Sequence, residues 1–290
     1  MNTSISNKYT VCNDIKIFYR EAGDPLNPSL LLLHGYPTSS VMFKGLMNTL
    51  SDKYHLIAPD YPGFGFSDFP DTSKFDYSFD NISKHLDKFC KKVGLKKFFI
   101  YLHDYGSTIG MRICLMNPSK IIGIIVQNGN SYEEGLGSQW DQTKDYWLNP
   151  TQAKKKNVMS FISEKGTREQ YTAGVPKKLL PLIGPELWQL DWALLQRPGN
   201  VKMQADLNYD YRNNLPLFSK FQEFFRKYQP PALIIWGKYD VFFNVKEAHC
   251  YLRDLPKAEV QILEGGHMAL ETNFSEISYL IGNFLKKQCN

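Results

Sequence analysis

Residues Tyr101 to Gly110 read YLHDYGSTIG. The preceding KKFFIYL, ending at Leu102, is apolar and β-rich, and Ser107 to Leu115 (STIGMRICL) carries helical spacing, so Asp104 falls at a strand-to-helix junction. A sharp turn of this kind usually displays a nucleophilic serine, and here it displays an aspartate. An isolated Asp at a strand end is more often a helix N-cap than a nucleophile. Its surroundings decide between the two.

Other strand ends share the pattern. SLLLLHGYP (Ser29 to Pro37), YHLIAPDYPG (Tyr54 to Gly63) and IIGIIVQNG (Ile121 to Gly129) are continuous apolar runs closed by turn residues, as expected of strands buried on both faces. Helical stretches near Val41 to Leu50, Phe79 to Val93 and Ser107 to Met116 alternate with them, after two opening strands, KYTVCN and IKIFYREAG. This alternation predicts an α/β protein with a mostly parallel twisted sheet covered by helices on both faces. From Ser131 to about Leu215 the rhythm is lost to polar and aromatic helical stretches punctuated by prolines, which reads as an inserted helical subdomain. It resumes with PPALIIWG (Pro230 to Gly237), a helix near Lys246 to Asp254, AEVQIL (Ala258 to Leu263) and a closing helix from about Ser275 to Lys287. The expected division is a first core part over 1–130, a helical cap over 131–215 and a second core part over 216–290.

A chain of 290 residues, 43% hydrophobic and 22% charged, can bury a large core. No apolar run reaches the roughly 20 residues of a membrane span, and MNTSISNKYT lacks the apolar centre of a signal peptide, so a cytoplasmic protein without membrane attachment is expected. Five scattered cysteines without C-x-x-C point to neither a disulfide framework nor a zinc site. The net charge of +5 is spread along the chain, and KKVGLKK and KKK read as solvated surface, so nucleic acid is not an expected partner. GFGFS lacks the remaining residues of a phosphate loop and reads as a turn.

Open α/β sheets place their chemistry at the carboxyl ends of strands. Those ends carry His34-Gly35-Tyr36-Pro37, Asp104-Tyr105-Gly106, Asp240 in WGKYD and His267 in EGGHMA. Nucleophile, acid and histidine thus follow the chain order of the α/β-hydrolase triad. HGYPTSS, APDYPGFGFSD, HDYGS, LIIWGKYD and GGH together make the chain resemble the α/β-hydrolase superfamily over its whole length. The resemblance is to the aspartate-nucleophile branch, epoxide hydrolases and haloalkane dehalogenases, and it implies the α/β-hydrolase fold with an inserted helical cap.

The chemistry fits that branch. An ionised carboxylate attacks a strained or polarised sp³ carbon without first losing a proton. The resulting ester on Asp104 must be cleaved by water, with His267 as general base and Asp240 orienting the imidazole. The resemblance places the backbone N–H groups of Tyr36 and Tyr105 as the oxyanion hole. Glu133 or Glu134, beyond the Ile121 strand, is the alternative acid, and His34 and His103 are expected to be structural turn residues.

The resemblance also bears on the leaving group. Haloalkane dehalogenases cradle halide with indole or amide N–H donors, whereas this chain has Tyr105 and Tyr36 at the corresponding positions, leaving Trp140 and Trp147 as substitutes. Epoxide hydrolases use two cap tyrosines, which Tyr211 in DYRNN and Tyr146 in YWLNP resemble, with Tyr171 and Tyr209 in reserve. Tyr105, usually tryptophan, and Ser107, often glycine, depart from the epoxide-hydrolase pattern. The expectation is hydrolysis of an epoxide to a diol, with haloalkane dehalogenation and a non-catalytic ligand receptor as alternatives. No metal or organic cofactor is expected, and a small apolar organic substrate and a monomer or weak homodimer are.

Overall fold

The computed structural model describes residues 4–289. Eight strands form one sheet in the order β1-β2-β4-β3-β5-β6-β7-β8: β1 (Ser6–Cys12), β2 (Ile15–Ala22), β3 (Ser29–Leu33), β4 (His55–Pro59), β5 (Phe98–His103), β6 (Ile121–Gln127), β7 (Ala232–Gly237) and β8 (Glu259–Leu263). A two-residue turn at Asn13 and Asp14, both at positive φ, folds β1 back on β2, as such tight hairpins require. β2 meets β4 antiparallel, and every later pairing is parallel.

The apolar runs are explained by burial on both sides. Leu31, Leu33, Ile100, Leu102, Ile124 and Val126 enter the core on one face. Their neighbours Leu30, Leu32, Phe99, Tyr101 and Ile125 enter the core on the other. Successive strand residues point to opposite faces, so a strand clad by helices twice must be apolar throughout.

The helices of the sheet domain are α1 (Lys44–Leu50), α2 (Phe79–Lys92) and α3 (Tyr105–Met116). Residues Tyr105 to Cys114 of α3 are all buried, which accounts for a helix apolar on nearly every side. Between β6 and β7 come α4 (Asp141–Leu148), α5 (Gln152–Val158), α6 (Glu164–Thr172), α7 (Pro185–Leu195), α8 (Asn200–Asp210) and α9 (Leu215–Tyr228). α10 (Lys246–Cys250), α11 (Ala269–Thr272) and α12 (Phe274–Cys289) complete the chain. Among the described residues no helix is long and apolar enough to cross a membrane.

Specific polar contacts hold the inserted helices on the sheet domain. Glu247 accepts hydrogen bonds from the N–H groups of Ser131 (2.5 Å) and Tyr132 (2.9 Å), where the chain leaves β6. Arg197, just after α7, donates to the carbonyls of Gly63 (2.6 Å) and Gly65 (3.1 Å), and Asp210 at the end of α8 accepts from Phe79 N–H (2.8 Å) at the start of α2. These contacts fix a helical layer over the carboxyl ends of the strands.

Gly106 lies where α3 passes closest to β3. A Cβ there would stand 2.4 Å from the Leu33 carbonyl oxygen and 2.7 Å from that of His34. Backbone cannot yield as a flexible side chain does, so Gly106→Ala is expected to lower unfolding free energy by about 1–3 kcal/mol, measured by urea denaturation against the parent chain.

Candidate active site

Asp104 joins β5 to α3 at φ 49° and ψ -120°, a backbone conformation that L-residues rarely adopt. Such strain persists only where the surroundings over-determine it, and it concentrates at functional sites. Here the turn lifts the carboxylate off the end of the sheet. Gly35 allows the facing turn to approach, because a Cβ there would lie 2.2 Å from Asp104 Oδ1.

That oxygen is already held. Tyr36 N–H donates to Asp104 Oδ1 at 2.6 Å, and Tyr105 N–H also bonds the carboxylate. The other oxygen, Oδ2, faces His267 Nε2 at 3.8 Å, too far for a direct hydrogen bond. His267 Nε2 has no hydrogen-bond partner, and the imidazole is buried. On the far side of the ring, Nδ1 lies 2.9 Å from Asp240 Oδ2. Asp240 Oδ1 in turn accepts from the N–H groups of Phe242 (2.7 Å) and Phe243 (3.0 Å).

The sequence candidates Asp104, His267, Asp240, Tyr36 and Tyr105 therefore meet at one place. Glu134 forms an ion pair with Arg253 and Glu133 is exposed, whereas the Nδ1 side of His267 is taken by Asp240. His103 spans the Gln127 carbonyl (2.9 Å) and Met268 Sδ (3.3 Å), and burial keeps it neutral. His34 stacks on Tyr61, and burial likewise lowers its pKa to about 3.

Two residues escaped the reading of the sequence. Asn128, at positive φ just past β6, donates from Nδ2 to Asp240 Oδ2 (2.7 Å). Gln127 donates to the His267 carbonyl (3.0 Å) and accepts from Tyr101 Oη (2.5 Å). The signal was available: QN closes a buried apolar strand at the sheet end where the triad candidates lie.

Above the carboxylate opens a cavity of about 450 Å³. One wall is apolar, with Trp140, Val158, Phe161, Phe242 and Phe243, and another carries amides, including Gln142, Gln170 and Asn208. Tyr211 is fully buried behind this wall, with its ring against Trp140 (4.9 Å between centroids) and Tyr105 (6.1 Å). Its hydroxyl has no protein partner. Burial and then the charge of Asp104 raise its pKa well above the usual phenol range, so it stays protonated. Tyr146 packs against Tyr209 (5.3 Å) and is not part of the cavity wall. The indole N–H groups of Trp140 and Trp147 are committed to the carbonyls of Phe242 (2.8 Å) and Asn208 (3.0 Å).

Residues 28–274 match the sequence family described as alpha/beta hydrolase fold. The chain belongs to the α/β-hydrolase family. It is 40% identical over 275 residues to an uncharacterized hydrolase of Saccharomyces cerevisiae, with 93% of each chain covered. It is 26% identical over 285 residues to epoxide hydrolase 3 of Xenopus tropicalis, covering 94% of this chain and 75% of that one. The structure of a putative epoxide hydrolase from Pseudomonas aeruginosa superposes with a TM-score of 0.80 at 15% identity, covering 99% and 97%, a likeness of fold. Among the described residues of this α/β-hydrolase no group of three or more His, Cys, Asp and Glu side chains is placed to hold a metal ion.

The electrostatics of the site set its pH dependence. Burial pushes the Asp104 carboxyl upward, and His267 and the two backbone donors offset part of that rise. Burial alone would lower His267, but Asp240 and Asp104 outweigh it and hold the imidazole above its ordinary range. A group raised in this way is protonated up to a higher pH and acts as a base only above it. Activity that needs neutral His267 is therefore expected to fall as pH decreases through the titration of the imidazole, and Asp240→Asn should move the midpoint of that fall down, both read from pH profiles of kcat.

Proposed function

We propose that this hydrolase opens an epoxide to a diol through an ester on Asp104. The observation that carries the reading is the division of labour within one carboxylate of the cavity lining, with Oδ1 held by the Tyr36 N–H and Oδ2 facing His267 without a hydrogen bond to it. Oδ2 attacks a ring carbon, the C–O bond breaks, and its electron pair goes to the ring oxygen. That oxygen takes the proton of Tyr211, which is buried beside Asp104 with its hydroxyl unpaired.

Water in the gap beside His267 Nε2 then loses a proton to the imidazole and attacks Cγ of Asp104. Negative charge develops on Oδ1, where the Tyr36 N–H already points, while the Tyr105 N–H bonds the same carboxyl group. Collapse breaks the Cγ–Oδ2 bond, the imidazolium gives its proton to the departing alkoxide and so releases the diol, and the proton left on the carboxyl group returns to the Tyr211 phenolate. No outside acid or base is consumed.

Three features support an epoxide over a halide. Tyr36 and Tyr105 bring no side-chain N–H donor, both nearby indoles are occupied by carbonyls, and a phenol is available to protonate an alkoxide. The helical layer, acting as a cap, encloses the reacting carbon. Its mixed walls suit a substrate with an apolar body and a hydrogen-bonding substituent.

His267→Gln is expected to reduce turnover roughly 10²–10⁴-fold and to trap a covalent adduct, with the mass of the intact epoxide, on the peptide containing Asp104. Asp104→Asn should give neither adduct nor diol. Peptide mass spectrometry after incubation with matched epoxide and bromoalkane panels checks both, and adducts from the bromoalkanes alone would replace this reading with dehalogenation.

A further inference from the structure

Ring opening places charge on an oxygen that a single buried phenol would have to stabilise, and a second donor is to be sought on the cavity wall. Tyr146 and Tyr209 pack on each other, and Arg212 covers the Tyr209 ring at 3.5 Å. Tyr171 donates its hydroxyl to Asp191 at 2.5 Å. None of these three lines the cavity with Asp104, and none packs its ring on Tyr105 and Trp140 of the lining as Tyr211 does from behind the wall.

Asn208 does line it. The residue is 7% exposed, its Oδ1 is buried without a partner, and its Nδ2 makes no hydrogen bond within the protein. It precedes Tyr211 by three residues at the carboxyl end of α8, a spacing that puts the two side chains on one side of the turn. Its position is fixed by its own carbonyl, which accepts from Trp147 Nε1 (3.0 Å). A rigidly held carboxamide that lines the same cavity as Asp104, with its buried Oδ1 unpaired and its Nδ2 without a protein acceptor, is poorly explained by packing, because an unpaired buried polar group destabilises the fold.

Building on the epoxide reading, we infer that Asn208 is a catalytic residue that donates an Nδ2 hydrogen bond to the ring oxygen as Asp104 opens the ring. The Asp104 Oδ2–carbon bond forms, the carbon–oxygen bond breaks, and the electron pair moves to oxygen. Tyr211 supplies the proton, while Asn208 keeps its own and stabilises the charge before transfer. Asp104 thus approaches the substrate from the end of the sheet, and Tyr211 and Asn208 from the inserted helices.

The test isolates this step in the His267→Gln background, where the ester accumulates, and times adduct formation with a terminal aryl epoxide by intact-protein mass spectrometry. Adding Asn208→Leu is expected to slow the adduct about 10²-fold. Asn208→Asp, nearly isosteric but without N–H donors, should slow it at least as much, since its ionised form repels the developing alkoxide. Circular dichroism and thermal unfolding of both variants establish that they fold. A folded variant that forms the ester at the parent rate overturns the inference and leaves the epoxide reading intact. A His267→Gln parent that forms no adduct with any epoxide overturns both.

Discussion

A buried carboxylate on a strained turn is the constraint around which this molecule is arranged. Asp104 stands at positive φ, nearly out of contact with bulk water, where ionisation is costly. Two backbone N–H groups and the facing imidazole offset that cost, and each requires its own piece of architecture. The Tyr36 donor requires a glycine before it, so that the turn after β3 can approach, and the Tyr105 donor requires a helix that begins immediately after Asp104. The imidazole requires Asp240 behind it, held by the N–H groups of Phe242 and Phe243 and by Asn128. Side chains from four strand ends therefore depend on one another, and none of them would be stable in its present form alone.

This interdependence determines how much was legible in the sequence. Buried parallel strands announce themselves, because both faces are covered and the apolar runs are unbroken, as in SLLLL and IIGIIV. Residues at the ends of those runs, Asp104, Asp240 and His267, could therefore be placed at one edge of the sheet from chain position. Side chains on the inserted helices gave no such signal. Tyr146 and Tyr211 looked alike as motif fragments, yet one rests on Tyr209 and the other is buried against Tyr105, a difference set by helix orientation rather than local pattern. Asn128, Gln127 and Asn208 are ordinary polar residues in sequence, and their significance comes only from partners more than a hundred positions away or from the lack of any partner.

The helical layer belongs to the same arrangement, because its residues line the cavity that holds Asp104. Glu247 of the sheet domain holds the main chain where the inserted segment begins, and Arg197 at the α7–α8 junction and Asp210 at the end of α8 bond main-chain groups of the sheet domain. These are hydrogen bonds from side chains to backbone, those of Arg197 charge-assisted, and they resist sliding better than apolar contact alone. The enclosed volume is thereby kept small, and electrostatic effects within it are larger than in open solvent. The same enclosure makes an idle buried donor or acceptor conspicuous, since each one is a cost the fold bears without evident structural return.

On the proposed reading, the two carboxylates flanking His267 also order the steps in time. In the free enzyme both hold the imidazole above its ordinary range, which favours the charged ring and so the ionised, nucleophilic form of Asp104. Alkylation converts Asp104 to a neutral ester and removes one of the two charges that raise His267. The imidazole then sheds its proton more readily, at the moment when a neutral base is required to activate water. Asp240 cannot be neutralised in this way, because its oxygens are tied to two backbone donors, Asn128 and His267, so it still orients the ring. An acid that held the ring and also took part in bond making would lose this asymmetry. The separation of the two carboxylates on opposite sides of one imidazole is what lets the first step prepare the base for the second.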